Sequence, residues 1–188
     1  MCCGTEREVT LNCPLDCEYL LQARTRERFD EVDPKLMPNT DIRITDQFMN
    51  ENDRLLGFLS RYVLEAALDT EGAVDNDVRD SLDALIKTYR TRESGLIYET
   101  RPSSLIAAAI QRKVSAALDE YEAALFKETG TSTLRDADVL GVLVFLQRVA
   151  IHWDNQRPKG RSLISFLLEK YGQDIPADTP PASPLLIL

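Results

Sequence analysis

"DADVLGVLVFLQRVAIHW" (136–153) decides the fold. Val139, Leu140, Val142, Leu143, Val144, Phe145, Leu146, Val149, Ala150 and Ile151 leave this stretch almost no polar side. A run of that kind is a central helix or a buried strand, and periodicity alone does not separate the two. Length does: the run has 18 residues, whereas strands usually have about 5–6. The reading is therefore a helix surrounded by others, ahead of which Thr133 and Asp136 form a capping signal.

A helix buried on every side needs neighbours with one apolar face each, and the flanking segments supply them. In "DNDVRDSLDALIKTYR", Val78, Leu82, Leu85, Ile86 and Tyr89 recur at helical spacing. "SSLIAAAIQRKVSAALDEYEAALF" repeats the pattern through Ile106, Ile110, Val114, Ala117, Tyr121 and Leu125, with alanines that permit close helix approach. "DQFMNENDRLLGFLSRYVLEAAL" presents Phe48, Leu55, Leu59, Tyr62 and Ala66. A last helix, "RSLISFLLEKY", is expected to stop at Gly172 as its C-terminal cap. Pro34 and Pro38, Gly72, Gly95 with Pro102, Gly130, and Pro158 with Gly160 punctuate these segments. The expectation is an all-α chain: a Cys-rich knuckle and first helix over 1–33, a single helical domain of about five main helices over 40–173, and a Pro-rich tail over 174–188.

The four cysteines all fall in the first 17 of 188 residues, which random placement would give about once in 15,000 arrangements; such clustering signals shared ligation or redox chemistry. Between Cys2–Cys3 and the pair Cys13, Cys17, "REVTLN" alternates Val9 and Leu11 with polar residues, so a short strand is expected to return the chain and set the pairs face to face. In "CPLDCEYLLQAR", Pro14 stiffens a turn, Asp16 is the expected N-cap and Cys17 lies in the first helical turn. Thiolates there gain from unpaired backbone N–H groups, and Arg7 and Arg24 are positioned to offset their charge. Cys2, Cys3, Cys13 and Cys17 are thus the candidate ligands of a tetrahedral zinc. The spacing leaves open an iron–sulfur cluster or a redox dithiol. Adjacent Cys2 and Cys3 splay their side chains, and a site using one of them takes its fourth ligand from Asp16, water or elsewhere.

"CCGTEREVTLNCPLDCEYL", with the central "SGLIYETRPSS", resembles a family of uncharacterised bacterial proteins that open with CCGT, continue to C-P-x-x-C-x-Y-L, and carry a G-[LI]-I-Y-E segment. The resemblance covers about the first thirty residues and the short central stretch, and implies no activity. Family members have a His soon after the last Cys; "ARTRERF" stands there in this chain.

The rest of the sequence narrows the function by what it lacks. A net charge of −9 opposes non-specific nucleic-acid binding. No run approaches the ~20 apolar residues of a membrane span, and no basic-then-apolar leader opens the chain, so a cytoplasmic protein is expected. There is no phosphate-binding Gly-rich loop, G-x-S-x-G or H-E-x-x-H, and the only histidine, His152, is expected at the core or its boundary. The acidic pairs Asp119–Glu122 and Glu27–Glu31 have ordinary helix-surface spacing. Arg148, Arg157, Lys159 and Arg161 form a basic run, and "EAALDTEGAVDNDVRDSLD" an acidic one; each reads as a solvated face or as a docking surface for opposite charge. "GLIYETRP" reads as a connector whose apolar residues plug the core, or as a polar contact made by Tyr98, Glu99 and Arg101. Leu185–Leu188 end a Pro-rich tail and are expected to bind the protein's own groove or a partner's. Together these features point to a zinc-binding, non-enzymatic helical protein acting through protein–protein contacts, as an accessory subunit or adaptor. The alternative is an iron–sulfur or thiol-redox protein.

Overall fold

The computed structural model describes residues 4–27, 29, 37–96, 98–130 and 134–174. Among them the chain forms seven α-helices: α1 (Glu18–Arg24), α2 (Asp46–Glu51), α3 (Asp53–Leu68), α4 (Asp75–Glu93), α5 (Leu105–Thr129), α6 (Asp136–His152) and α7 (Ser162–Tyr171). The β pairing among these residues is a single isolated bridge between Arg7 and Leu11. The molecule is an all-α single helical domain.

The stretch 136–153 is the central helix its composition demanded. In α6, Val139, Leu140, Val142, Leu143, Val144, Leu146 and Ala150 are buried. They face α4, which contributes Val78, Leu82, Leu85, Ile86 and Tyr89 from its apolar side. α4 and α3 each also pack against α5, and α3 completes the ring by touching α6. α7 lies across α3, with a smaller contact to α4. One continuous cluster of buried side chains, from Leu55 on α3 to Leu167 on α7, fills the interior.

Helix ends follow local chemistry. The Ser104 hydroxyl accepts the Ala107 N–H at 3.3 Å to start α5, and Gly130, at φ 71°, ends it in the left-handed conformation that glycine adopts most readily. Asp77 reaches back to the Val74 N–H at 3.2 Å at the start of α4.

Four expectations change. The segment 46–68 is two helices, because Asn52 (φ −111°, ψ 17°) breaks the ladder and its side-chain amide donates to the Phe48 carbonyl at 3.0 Å. Gly172 does not take the left-handed cap; at φ −66° it leads into a 3₁₀ turn, Gly172–Asp174. α6 starts from Arg135 rather than from a hydroxyl cap, and its guanidinium pairs with Asp138 at 2.7 Å; Thr133 lies outside the described residues. Residues 7–12 are not a strand: the Glu6 carbonyl accepts N–H groups from Val9, Thr10 and Leu11 at 3.2–3.3 Å, which closes a turn.

The packing predicts an unequal response to equal truncations. Leu143→Ala, at a fully buried position on α6, should lower unfolding free energy by about 2–5 kcal/mol in urea titration. Leu105→Ala, 87% exposed at the start of α5, should change it by less than about 0.5 kcal/mol.

Candidate functional site

The two described cysteines sit on the turn before α1. Cys13 is buried, Cys17 is half-buried, and both thiols are free. Cys17, rather than Asp16, is the N-cap residue of α1, with φ −64° and ψ 116° and no side-chain capping bond. Cys2 and Cys3 lie outside the described residues. Among the described residues no three His, Cys, Asp or Glu side chains converge on a point that could hold a metal ion. Arg7 and Arg24 do not stand free to offset thiolates, because carboxylates hold both: Arg7 pairs with Glu27 at 3.7 Å and Arg24 with Glu8 at 2.8 Å.

Glu8 is the residue that fastens the N-terminal segment to the helical body. Its surface is fully buried, and its φ of 55° is the left-handed region that a side chain with a Cβ disfavours by about 1–2 kcal/mol. That backbone turn aims the carboxylate inward. Oε1 accepts the Arg24 guanidinium at 2.8 Å and the Arg161 backbone N–H at 3.0 Å. Oε2 accepts the Asn155 amide at 3.1 Å, with Arg157 at 3.8 Å. The Glu8 carbonyl accepts the Lys159 N–H at 2.9 Å, and the Lys159 ammonium reaches the Thr10 carbonyl at 2.6 Å. Around this centre, Asn155 also donates to the Ser162 hydroxyl at 2.8 Å, and Ser162 donates to Glu27 at 3.3 Å. The connector before α7 is shaped to fit: a Cβ on Gly160 would lie 2.3 Å from the Asn155 side-chain oxygen, so a larger residue there would displace the amide from Glu8.

A second buried carboxylate meets the same helix end. Asp75 accepts the Leu163 and Ile164 N–H groups at 3.0 and 3.1 Å, and its own N–H donates to the Gly160 carbonyl at 2.8 Å. At the start of α7, where N–H groups have no partner within the helix, those of Arg161, Leu163 and Ile164 thus go to carboxylates from residues 8 and 75. Burial pushes the Asp75 carboxyl up to about 7, against the two N–H bonds that lower it. Desolvation lowers the Arg161 guanidinium from its ordinary value, with the charge of Asp75 acting in the opposite sense.

The charged runs read in the sequence resolve into this network. The basic run is not a solvated face: Arg157, Lys159 and Arg161 bind the chain's own N-terminal turn, while Arg148 holds the Asn39 and Ile42 carbonyls at 2.8 and 3.0 Å. Within the acidic run, Asp75 and Asp77 are buried. His152 is exposed at the last residue of α6, off the core side. In the central connector Leu96 and Tyr98 are 63% and 66% exposed and do not plug the core; Ile97 lies outside the described residues. Glu99 and Arg101 form a surface pair at 3.2 Å. Glu31 and the tail from 175 onward lie outside the described residues.

Between α1 and α7, beside the network, lies a cavity of about 460 Å³ with largely apolar walls, whose charged lining is Arg24, Glu27 and Glu169. Sequence reasoning missed Glu8, Asp75 and Asn155. A glutamate between Val9 and Arg7 reads as solvent-facing, yet Val9 and Leu11 are 40% and 44% exposed while Glu8 is buried. The available signal was indirect: an excess of arginine and lysine over 157–161 with one carboxylate nearby.

The class defined by fold and site is an all-α single-domain protein whose N-terminal turn is docked by a buried glutamate. No protein-family model, no curated protein and no solved structure matches this chain.

Glu8→Gln leaves the arginines around it uncompensated, so the docked turn should loosen by about 3 kcal/mol or more. Hydrogen exchange at the α1 amides should accelerate by about a hundredfold, with the α4 and α6 amides unchanged. Asp75 has its own signature. A folded-state value of about 7 against the ordinary 3.8 means that the folded form holds a proton which the unfolded chain has released. Stability from this group is full below about pH 4 and is lost as pH rises to about 7. The wild type minus Asp75→Asn difference in urea stability should therefore fall across that window, by up to about 4 kcal/mol.

Proposed function

We propose that this is a zinc-binding helical protein that works through protein–protein contacts, as an accessory subunit or adaptor. The metal is held by Cys13 and Cys17 together with Cys2 or Cys3, or both. The observation that carries this reading is the turn closed on the Glu6 carbonyl. It folds the chain back on itself, so that Cys3 and Cys13 are three and two residues from the closure, on its opposite arms. At up to about 3.8 Å per residue, both arms are long enough for their thiols to meet at one ion.

The docked turn also gives such a site a purpose. Glu8 holds residues 7–10 against the connector before α7, and a metal bound just beyond it would tie down the part of the segment that the carboxylate does not reach. Reduced, unpaired thiols at Cys13 and Cys17 suit ligation. Support for partner contacts comes from the exposed Leu96, Tyr98 and Leu105, which lie within ten residues on the α4–α5 connection, and from the apolar Leu185–Leu188.

Elemental analysis of protein purified without chelator should find one zinc per chain, and Cys13→Ser with Cys17→Ser should abolish it. Visible absorbance with bound iron would move the reading to an iron–sulfur protein. Metal-free protein whose cysteines cycle between thiol and disulfide would move it to a redox dithiol.

A further inference from the structure

The chamber between α1 and α7 presents apolar surface that the described residues leave uncovered. Leu15, Phe29, Trp153 and Phe166 wall it, with Leu21 and Leu168, 48% and 36% exposed, at the mouth. Trp153 stacks on Phe166 with centroids 4.4 Å apart, and Phe29 meets Trp153 edge-on at 4.9 Å, so ring packing sets the shape of the wall. The charged lining is Arg24, Glu27 and Glu169, and it selects neither sign of charge. Arg24 donates to Glu8 and to the Ser165 hydroxyl, Glu27 lies beside Arg7 and Arg157 at 3.7 and 3.8 Å, and Glu169 is exposed at the rim. What the chamber offers an occupant is apolar contact.

The chain carries a segment of matching chemistry within reach. α7 lines the chamber through Ser165, Phe166, Leu168 and Glu169, and runs into the 3₁₀ turn that ends at Asp174, roughly 10 Å along the axis from Leu168. Residues 175–188 lie outside the described residues. In sequence they are ten residues with four prolines, 175–184, followed by Leu185, Leu186, Ile187 and Leu188. A Pro-rich stretch of that length spans up to about 30 Å, enough to turn back and bring four aliphatic side chains to the chamber. A segment tethered so closely acts at an effective concentration in the millimolar range, so modest affinity suffices. The segment 30–36, also outside the described residues and next to Phe29, fits worse: Asp30, Glu31, Asp33 and Lys35 place four charges in seven residues, and a charge laid on an apolar wall loses its hydration.

We propose that Leu185–Leu188 dock in this chamber of their own chain, against Trp153 and Phe166, and close its mouth between Leu21 and Leu168. The volume of about 460 Å³ falls in the range of sites that enclose a small ligand, and it admits a short aliphatic run. In the free protein the docked tail covers the apolar surface beside the Glu8 network and leaves the exposed Leu96, Tyr98 and Leu105 as the face for partners. No cysteine takes part, so the docking stands or falls independently of the zinc reading.

Trp153 is the only tryptophan in the chain, so quenching of its emission by acrylamide reports on the chamber directly. In the full-length protein, Leu186→Asp with Ile187→Asp should raise the quenching constant about twofold or more. Leu186→Met with Ile187→Met, which keeps the run apolar, should leave it at the wild-type value. Both pairs lie outside the described helices, so the far-UV spectrum should stay that of the wild type, and sedimentation should give wild type and Asp pair the same mass. Quenching unchanged in the Asp pair, or raised equally in both pairs, would overturn the proposal. A wild-type dimer that the Asp pair dissociates would also overturn it, by assigning the tail to a second copy. So would quenching raised by Val32→Asp with Leu36→Asp and not by the tail pair, which would assign the chamber to 30–36.

Discussion

The start of α7 has backbone N–H groups that no helix can satisfy from within, and two carboxylates from distant parts of the chain take three of them. Asp75, at the first residue of α4, takes the Leu163 and Ile164 N–H groups. Glu8 takes that of Arg161. Because each carboxylate belongs to a different element, meeting this one requirement fixes α4, the N-terminal turn and the connector 153–161 relative to α7. The arginines then follow. A buried carboxylate must be paired, and Arg24, Arg157 and Arg161 gather around Glu8 to do so.

This arrangement divides the molecule into regions held by different physics. The helical ring of α3, α4, α5 and α6 rests on apolar burial, with α6 enclosed on most of its surface. The corner formed by the N-terminal turn, α1 and the start of α7 is tied together by hydrogen bonds and ion pairs around Glu8 and Asp75. Leu20 is the one fully buried large side chain of α1. Polar networks of this kind are sensitive to each member, since removing one leaves others buried without partners. The proposed metal falls in this corner, where small changes in charge alter local order without disturbing the ring.

Legibility followed the length scale of each interaction. The apolar faces of α3 to α6 were readable because helical spacing repeats every three or four residues, and the predicted positions on α4 are all buried. Gly95 and Gly130 were readable as breaks because left-handed backbone favours glycine. Glu8 was not, since it adopts that same backbone region without being glycine, and its partners lie near residue 24 and beyond residue 150. The alternation that suggested a strand at 7–12 is a coincidence of composition: it places Val9 and Leu11 toward solvent and the charged residue inside. The break at Asn52 was hidden because an asparagine side chain competing for one carbonyl leaves no periodic trace.

The sequence by itself determined the fold class, the positions of the main helices and the concentration of thiols at one end, because periodicity and clustering are properties of neighbours along the chain. Tertiary structure decided the rest. It turned a basic run from a presumed surface into the socket for the chain's own first turn, and it buried two acids that composition assigns to solvent. The reason is physical: desolvation depends on what surrounds a charge in space, and residues 8, 75, 155 and 161 become neighbours only after the helices have packed.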